Sequence, residues 1–394
     1  MRKIKVLIAS ILAIVTFCGF VPRTVTFDRV DKKTTESVVK PEFNYSVKSA
    51  YLMDATTGKM LFSKSEEETA SIASVTKVMT LLLVMEALKA GHFKLDDVIM
   101  ISANAASMGG SQVFLEEGER ITVEELIKCA VIASANDASV ALAELTAGSE
   151  DAFVQKMNEK AGQLGLKNSY FENTTGLDDT TTNHHSCAYD IAVLSRELIK
   201  HDLILKYSSM WQDSIRDGEM VLTNTNRLIR YYDGCNGLKT GSTDKAGFCI
   251  TTTAKRGNMQ LIAVILGADT KDERNAAARA LLDFGFANFA LFEDKDSYLE
   301  SIPVLKGKRD NIGAYSKGFS CIVEKGKVAA VEKVYEIPDN IVAPIKQGDT
   351  IGKITYTLDG YELGHTDIYV CESIDEINLF EIIVRILSKI IIGK

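Results

Sequence analysis

The 394-residue chain has no C-x-x-C pair, no H-E-x-x-H or G-x-S-x-G motif, and no surplus of positive charge. Each absence removes a class of function. A net charge of −8 offers no concentrated basic face for phosphates, so nucleic acid drops out as a partner. His92, His184, His185, His201 and His365 lack the spacing of a zinc peptidase, and neither a metal nor any other cofactor is expected. Without a G-x-S-x-G elbow an α/β-hydrolase is disfavoured. The seven cysteines are scattered, Cys18 among the first residues, in a chain large enough to hold together without staples. Buried thiols are the expectation, and no pairing is assigned.

What is present begins with Arg2, Lys3 and Lys5 ahead of an uncharged apolar run from Val6 to Val21. This reads as an export signal. No A-x-A site follows and Pro22 comes at once, so a retained N-terminal helix stays open, although the run is shorter than the ~20 residues a span prefers. Either way the body is expected outside the cytoplasm. The length favours two folded domains plus terminal appendages.

The chain divides into five parts: a signal peptide or apolar segment (1–22), a tether (23–45), a main body (46–290), a small β domain (295–373) and a tail (377–394). In the body, Ala50 to Asp54 turns through Thr57-Gly58-Lys59 into Met60-Leu61-Phe62, a hairpin pattern. Val75 to Leu88 reads as a buried helix with Gly91 past its end, and periodicity stays mainly helical from Leu95 to Leu198. Leu238–Gly241, Phe248–Thr253 and Gln260–Leu266 are rich in β-branched residues, and a last helix follows over Asp272–Phe284. Strands at both ends of a helical middle imply an α+β fold, an antiparallel sheet built from distant segments and flanked by helices. Short alternating runs at Phe319–Val323, Val328–Ile337 and Thr350–Leu358 predict a small β-sandwich. In the tail, Glu381, Arg385 and Lys389 recur every fourth residue among apolar neighbours, one narrow charged stripe on a broad apolar helix. Such a helix lies in a membrane surface or docks on its own domain; the first is the expectation.

Three motifs carry chemistry. Ser74-Val75-Thr76-Lys77 places a hydroxyl and an amine three residues apart on a helix, close enough to hydrogen-bond. Lysine works as a base once burial and a second ammonium, here Lys239, lower its pKa. Ser134-Ala135-Asn136 joins two helices; its serine would relay a proton between Lys77 and a leaving amine, its asparagine would hold a substrate amide, and a plain helix cap is the alternative. Lys239-Thr240-Gly241 puts a glycine in a strand that a substrate backbone would approach, with Lys239 and Thr240 meeting a carboxylate. The backbone N–H groups of Ser242 and Ser74 would form an oxyanion hole. Two decoys exist, Ser37-Val38-Val39-Lys40 and Ser102-Ala103-Asn104.

In order and spacing these motifs resemble those of serine D-Ala-D-Ala carboxypeptidases, the low-molecular-mass penicillin-binding proteins of the peptidase S11 type. The likeness takes in Ala73 to Thr80, Ser134 to Ala138, Asn173 to Leu177 and Gly237 to Phe248, and spans Ser46 to Phe289. The resemblance implies a β-lactamase/transpeptidase-like fold with a helical subdomain. It implies that Ser74 attacks the bond between the terminal D-alanines of a peptidoglycan stem pentapeptide with Lys77 as base. Ser134, Asn136, Lys239, Thr240, Gly241 and Ser242 complete the site, β-lactams act as covalent inhibitors, and the tail helix sits on the outer face of the cytoplasmic membrane. Ala135 and Cys187 depart from the usual glycine and threonine. A class A β-lactamase would need an E-x-x-L-N string between Ser134 and Lys239, and none occurs. A β-lactam sensor is the non-enzyme alternative, separated by turnover.

Overall fold

The computed structural model describes residues 42–179 and 181–392, so residues 1–22, most of the tether and the Ser37–Lys40 decoy lie outside the described part. Strands β1 (Ser49–Asp54) and β2 (Met60–Lys64) form the expected hairpin. The far end of the body adds β3 (Cys235–Thr243), β4 (Gly247–Arg256) and β5 (Met259–Ala268), giving an antiparallel sheet of order β2-β1-β5-β4-β3. Strand β3 is therefore an edge, with one row of main-chain groups left unpaired by the sheet.

The near-continuous apolar composition of β5 follows from burial on both faces. Leu261, Ala263 and Ile265 pack with Ala277, Ala278, Leu281 and Leu282 of helix α6 (Lys271–Asn288). Ile262, Val264 and Leu266 point the other way, into the core shared with α1 (Lys77–Lys89) and α5 (Ala188–Leu198). Between them α2 (Val123–Lys128), α3 (Asn136–Ala147) and α4 (Glu150–Gln163) make up most of the helical half. Helix α1 is apolar nearly all round and accordingly buried nearly all round. It starts two residues later than its apolar run implies, because Ala73–Thr76 form a tighter 3-10 turn that delivers Ser74 at its mouth.

Strand β6 (Phe289–Asp294) leaves α6 directly and pairs with β9 (Phe319–Glu324), so the second domain takes up the chain before residue 295. Strands β7 (Ser297–Leu305), β8 (Asn311–Ser316), β10 (Glu332–Glu336), β11 (Ile341–Val342), β12 (Thr350–Leu358) and β13 (Tyr361–Val370) form a sheet of order β10-β12-β13-β8-β7-β11. The Val328–Ile337 run is not one strand: Val328–Ala330 make a short 3-10 turn before β10. Its core centres on Ile302, Ile312, Ile354, Tyr356 and Ile368, with Phe319 stacked 4.2 Å from Tyr356. Helix α7 (Leu379–Ile392) ends the described chain. Among the described residues no helix is long and apolar enough to cross a membrane, and all six cysteines are free.

Candidate active site

Three separate elements converge beside the edge of β3. The 3-10 turn before α1 brings Ser74, the start of α1 brings Lys77, and the junction of α2 and α3 brings Ser134 and Asn136. That junction is a turn of π-helix over Cys129–Ala133, ending at Ser134 in the left-handed region with φ 63°. Ala73, just before the nucleophile candidate, is also left-handed at φ 47°. Non-glycine residues held this way cost on the order of 1–3 kcal/mol each and persist where surrounding packing fixes them. Gly241 shows why the neighbouring strand carries no side chain there: a Cβ would stand 2.7 Å from Ser74 N and 2.9 Å from Val75 N.

Lys77 is fully buried, and its Nζ has three partners: Ser74 Oγ at 2.9 Å, Asn136 Oδ1 at 2.6 Å and the Thr175 carbonyl at 2.9 Å. Burial drives its pKa well below the usual lysine value, the Lys239 charge pushes the same way, and Asp137 opposes both. Lys239 is brought down to about 7, by burial first and then by Arg274. Its Nζ donates to Ser134 Oγ at 2.7 Å and to the Thr240 carbonyl at 2.9 Å.

The structure thus brings all the sequence-predicted residues together, with partners that differ in part from those expected. Ser134 is held by Lys239 and not by Lys77. Asn136 accepts from Lys77 and donates from Nδ2 to the Gly109 carbonyl at 2.6 Å, so its amide is engaged inside the protein. Lys239 is 1% exposed, whereas Thr240, Gly241 and Ser242 line the cleft.

That cleft, of about 670 Å³, also carries Thr225, Arg227 and Arg274, which sequence reasoning missed. Thr240 Oγ1 donates to Thr225 Oγ1 at 2.8 Å, and with Arg227 and Arg274 among its lining residues the cleft suits an anion. Asp137, the residue after the second motif, accepts from the backbone N–H groups of Val113 and Leu115 at 3.0 and 3.1 Å and so ties down the segment that supplies Gly109.

A second tie lies behind Lys77. The chain from Glu172 to His184 is fastened to the nucleophile turn and α1 by Thr80 Oγ1 donating to the Thr174 carbonyl (2.7 Å) and Ser71 Oγ donating to Asp178 (2.8 Å). His184 Nδ1 accepts from Glu172 N at 3.1 Å, which leaves the ring proton on Nε2 to donate to Thr76 Oγ1 at 2.7 Å. Burial lowers the His184 pKa to about 4, against the opposing pull of Glu172 and Asp178. Gly176 packs so closely on Ala73 that no Cβ fits. The signal for this segment was present in the Asn173–Leu177 string. Among the described residues no cluster of three or more His, Cys, Asp or Glu side chains is placed to hold a metal.

Comparison with known proteins agrees with the geometry. Residues 34–270 match the family model described as D-alanyl-D-alanine carboxypeptidase, and residues 286–376 match that of the penicillin-binding protein 5 C-terminal domain. The chain is 42% identical over 371 residues to D-alanyl-D-alanine carboxypeptidase DacF of Bacillus subtilis, covering 92% of this chain and 93% of the relative. The crystal structure of penicillin-binding protein 5 from Haemophilus influenzae superimposes with a TM-score of 0.76 at 31% identity, over 86% of this chain and all of that one. Penicillin-binding protein D2 of Listeria monocytogenes, solved in an ampicillin-bound form, matches 62% of this chain and all of that one, with a TM-score of 0.58 at 29% identity.

Proposed function

Because the chain belongs to the D-alanyl-D-alanine carboxypeptidase family, peptidase S11, we propose that Ser74 is the residue acylated and that Lys77 is its base. The enzyme removes the terminal D-alanine of peptidoglycan stem pentapeptides through an acyl-serine, and β-lactams acylate it as mimics of that dipeptide.

Lone pairs single out Lys77 as the base. A neutral Lys77 has two N–H donors and one lone pair; the Asn136 oxygen and the Thr175 carbonyl can only accept, so they take the two donors. The lone pair is left facing Ser74 Oγ–H. Ser74 Oγ then bonds to the carbonyl carbon between the two D-alanines as its proton passes to Lys77. The oxyanion is received by the backbone N–H groups of Ser74 and Ser242, where losing one donor typically costs about 3 kcal/mol in the barrier. The carboxylate of the departing D-alanine lies against Thr240 and Thr225, with Arg227 and Arg274 beyond. Ser134 accepts from Lys239, which turns its own hydroxyl proton outward; as the C–N bond breaks that proton passes to the leaving amine and Lys239 gives one of its own to Ser134 Oγ. Water then attacks the acyl carbon, its proton passing through Ser134 back to Lys239, while Lys77 returns its proton to Ser74 Oγ as the ester bond breaks and the tetrapeptide leaves.

The 2.9 Å contact between an amine stripped of solvent and Ser74 carries this reading. Mass spectrometry of penicillin-treated protein tests it: the adduct is expected on the peptide holding Ser74 and absent in Ser74→Ala, and an adduct elsewhere overturns the assignment. Continuous release of D-alanine separates the enzyme from a sensor, which stops after one equivalent.

The tail supports a surface role. Arg385 donates to Asp310 at 2.9 Å and to the Lys308 carbonyl at 2.6 Å, and Glu381 faces Lys308 at 3.7 Å. Glu381 and Arg385 therefore lie on the β domain while Leu379, Phe380 and Ile390 point outward, each more than 70% exposed. A helix docked for its own core would be turned the other way. We infer that α7 lies in the outer surface of the cytoplasmic membrane, with the exported body above it. Deleting residues after Glu376 should abolish partition of the leaderless protein onto phospholipid vesicles without changing D-alanine release; partition that persists refutes the anchor.

A further inference from the structure

The cleft does not end at Ser242. A peptide with its carboxylate at Thr240 and its reacting carbonyl over Ser74 runs antiparallel to the free edge of β3. Its residues before the scissile bond then pass toward the turn from Thr243 to Gly247 that joins β3 to β4. At that turn a second cavity opens, of about 480 Å³, sharing Ser242 with the first. The third stem residue stands one strand step, ~3.4 Å, upstream of the acylated D-alanine, and so at its mouth.

The wall of this cavity carries both signs of charge. Lys48 and Lys245 supply two cations, Asp244 and Asp269 two carboxylates, and the Phe248 ring an apolar side. Asp269 accepts from Ser46 Oγ at 2.6 Å. Among the described residues none of the four charges takes part in an ion pair. Two cations and two carboxylates outside any ion pair, lining one cavity next to a peptide-binding edge, fit a ligand that itself bears both signs.

We propose that this cavity is a subsite for the side chain of the third stem residue, and that it selects a side chain ending in both an ammonium and a carboxylate, as meso-diaminopimelate does, over lysine. The proposal rests on the reading of Ser74 and β3 given above. A lysine ammonium meets Asp244 and Asp269 but leaves Lys48 and Lys245 unanswered and repelled; an amino acid head group at the side-chain end answers all four. The charges are exposed to solvent, so each contact is weak and the discrimination is modest.

The test compares kcat/KM for D-alanine release from three pentapeptides that differ only at the third residue: meso-diaminopimelate, L-lysine and Nε-acetyl-L-lysine. The expected order is meso-diaminopimelate about tenfold above lysine, and lysine above its acetylated form. In the Lys48→Met, Lys245→Met double variant the first ratio should collapse to within about twofold, and in Asp244→Asn the advantage of lysine over acetyl-lysine should shrink. Equal rates for all three peptides in the parent protein overturn the subsite while leaving the Ser74 reading intact, as does a tenfold ratio that survives the double variant. No D-alanine from any peptide overturns the Ser74 reading and the subsite with it. The parent ratios decide the matter without any variant.

Discussion

At Ser102-Ala103-Asn104 the serine caps a four-residue helix, accepting from Ala105 N at 3.0 Å, and both polar side chains donate to Glu144 near the surface. At Ser134-Ala135-Asn136 the same three residues end a π-helical turn, are almost fully buried, and meet two lysines. One copy exchanges water for a carboxylate of its own surface. The other supplies each of two buried amines with one of its acceptors, so each of those hydrogen bonds replaces solvation that is no longer available. The string is identical; the surroundings make one a cap and the other part of a proton path.

The largest effect expected of the buried neighbourhood is on stability. His184 accepts a proton in the unfolded chain below about 6.5 but in the fold only near 4, because burial disfavours the imidazolium and protonation would break its acceptor bond from Glu172 N. Between those values the unfolded state binds more protons, so stability rises with pH. The contribution is fully present above about pH 6.5 and is lost as the pH falls through about 4, and it is on the order of 3 kcal/mol. In urea titrations the gap between the parent protein and His184→Gln should narrow by about that amount from pH 7 to pH 4. A gap that does not change with pH would show that the ring is not held neutral.

Next comes the pair of asparagines. Asn136→Ala strips an acceptor from buried Lys77 and a donor from the Gly109 carbonyl. A buried group left unpaired costs roughly 1–3 kcal/mol, which corresponds to roughly a five- to 150-fold slower acylation by penicillin. Asn104→Ala removes one surface bond to Glu144 and should stay within about twofold. Stopped-flow acylation rates of the two variants give the contrast directly, and similar losses in both would dissolve it.

The parts that sequence made legible are those written in residue type. The hairpin and the three long strands announce themselves through β-branched runs and turn residues, α6 through its run of alanine and leucine, and Ser74 with Lys77 stands out once it opens an apolar helix. What stayed hidden is written in the backbone or in packing direction. Thr175 serves Lys77 through its carbonyl, which every residue has, from 98 positions away. Nothing in Ala130–Ala133 marks a π turn that leaves Ser134 left-handed. Arg274 lies on a helix that was expected, but only the packing of α6 on the sheet, with Arg274 Nη1 near the Cys249 carbonyl at 3.5 Å, turns it toward the cleft. The charged stripe of the tail was visible while its orientation was not.

The smallest effect separates burial from the second cation as causes of the reactive amine. Acylation requires neutral Lys77, so its rate rises with pH and levels off above the Lys77 pKa, which burial has lowered most and the Lys239 charge somewhat further. Lys239→Gln keeps a side chain able to donate to Ser134 and removes the charge. With one repelling cation gone, the ammonium form of Lys77 is less disfavoured and the rising limb of the acylation profile should move to higher pH. At pH 7 the rate should fall roughly severalfold, and the parent and variant rates should draw closer in more alkaline buffer. A pH-independent loss would assign Lys239 to holding Ser134 alone. A shift to lower pH would mean that Lys77 had been stabilised as an ammonium by its surroundings, and the buried copy of the tripeptide would then owe its reactivity to something other than crowded positive charge.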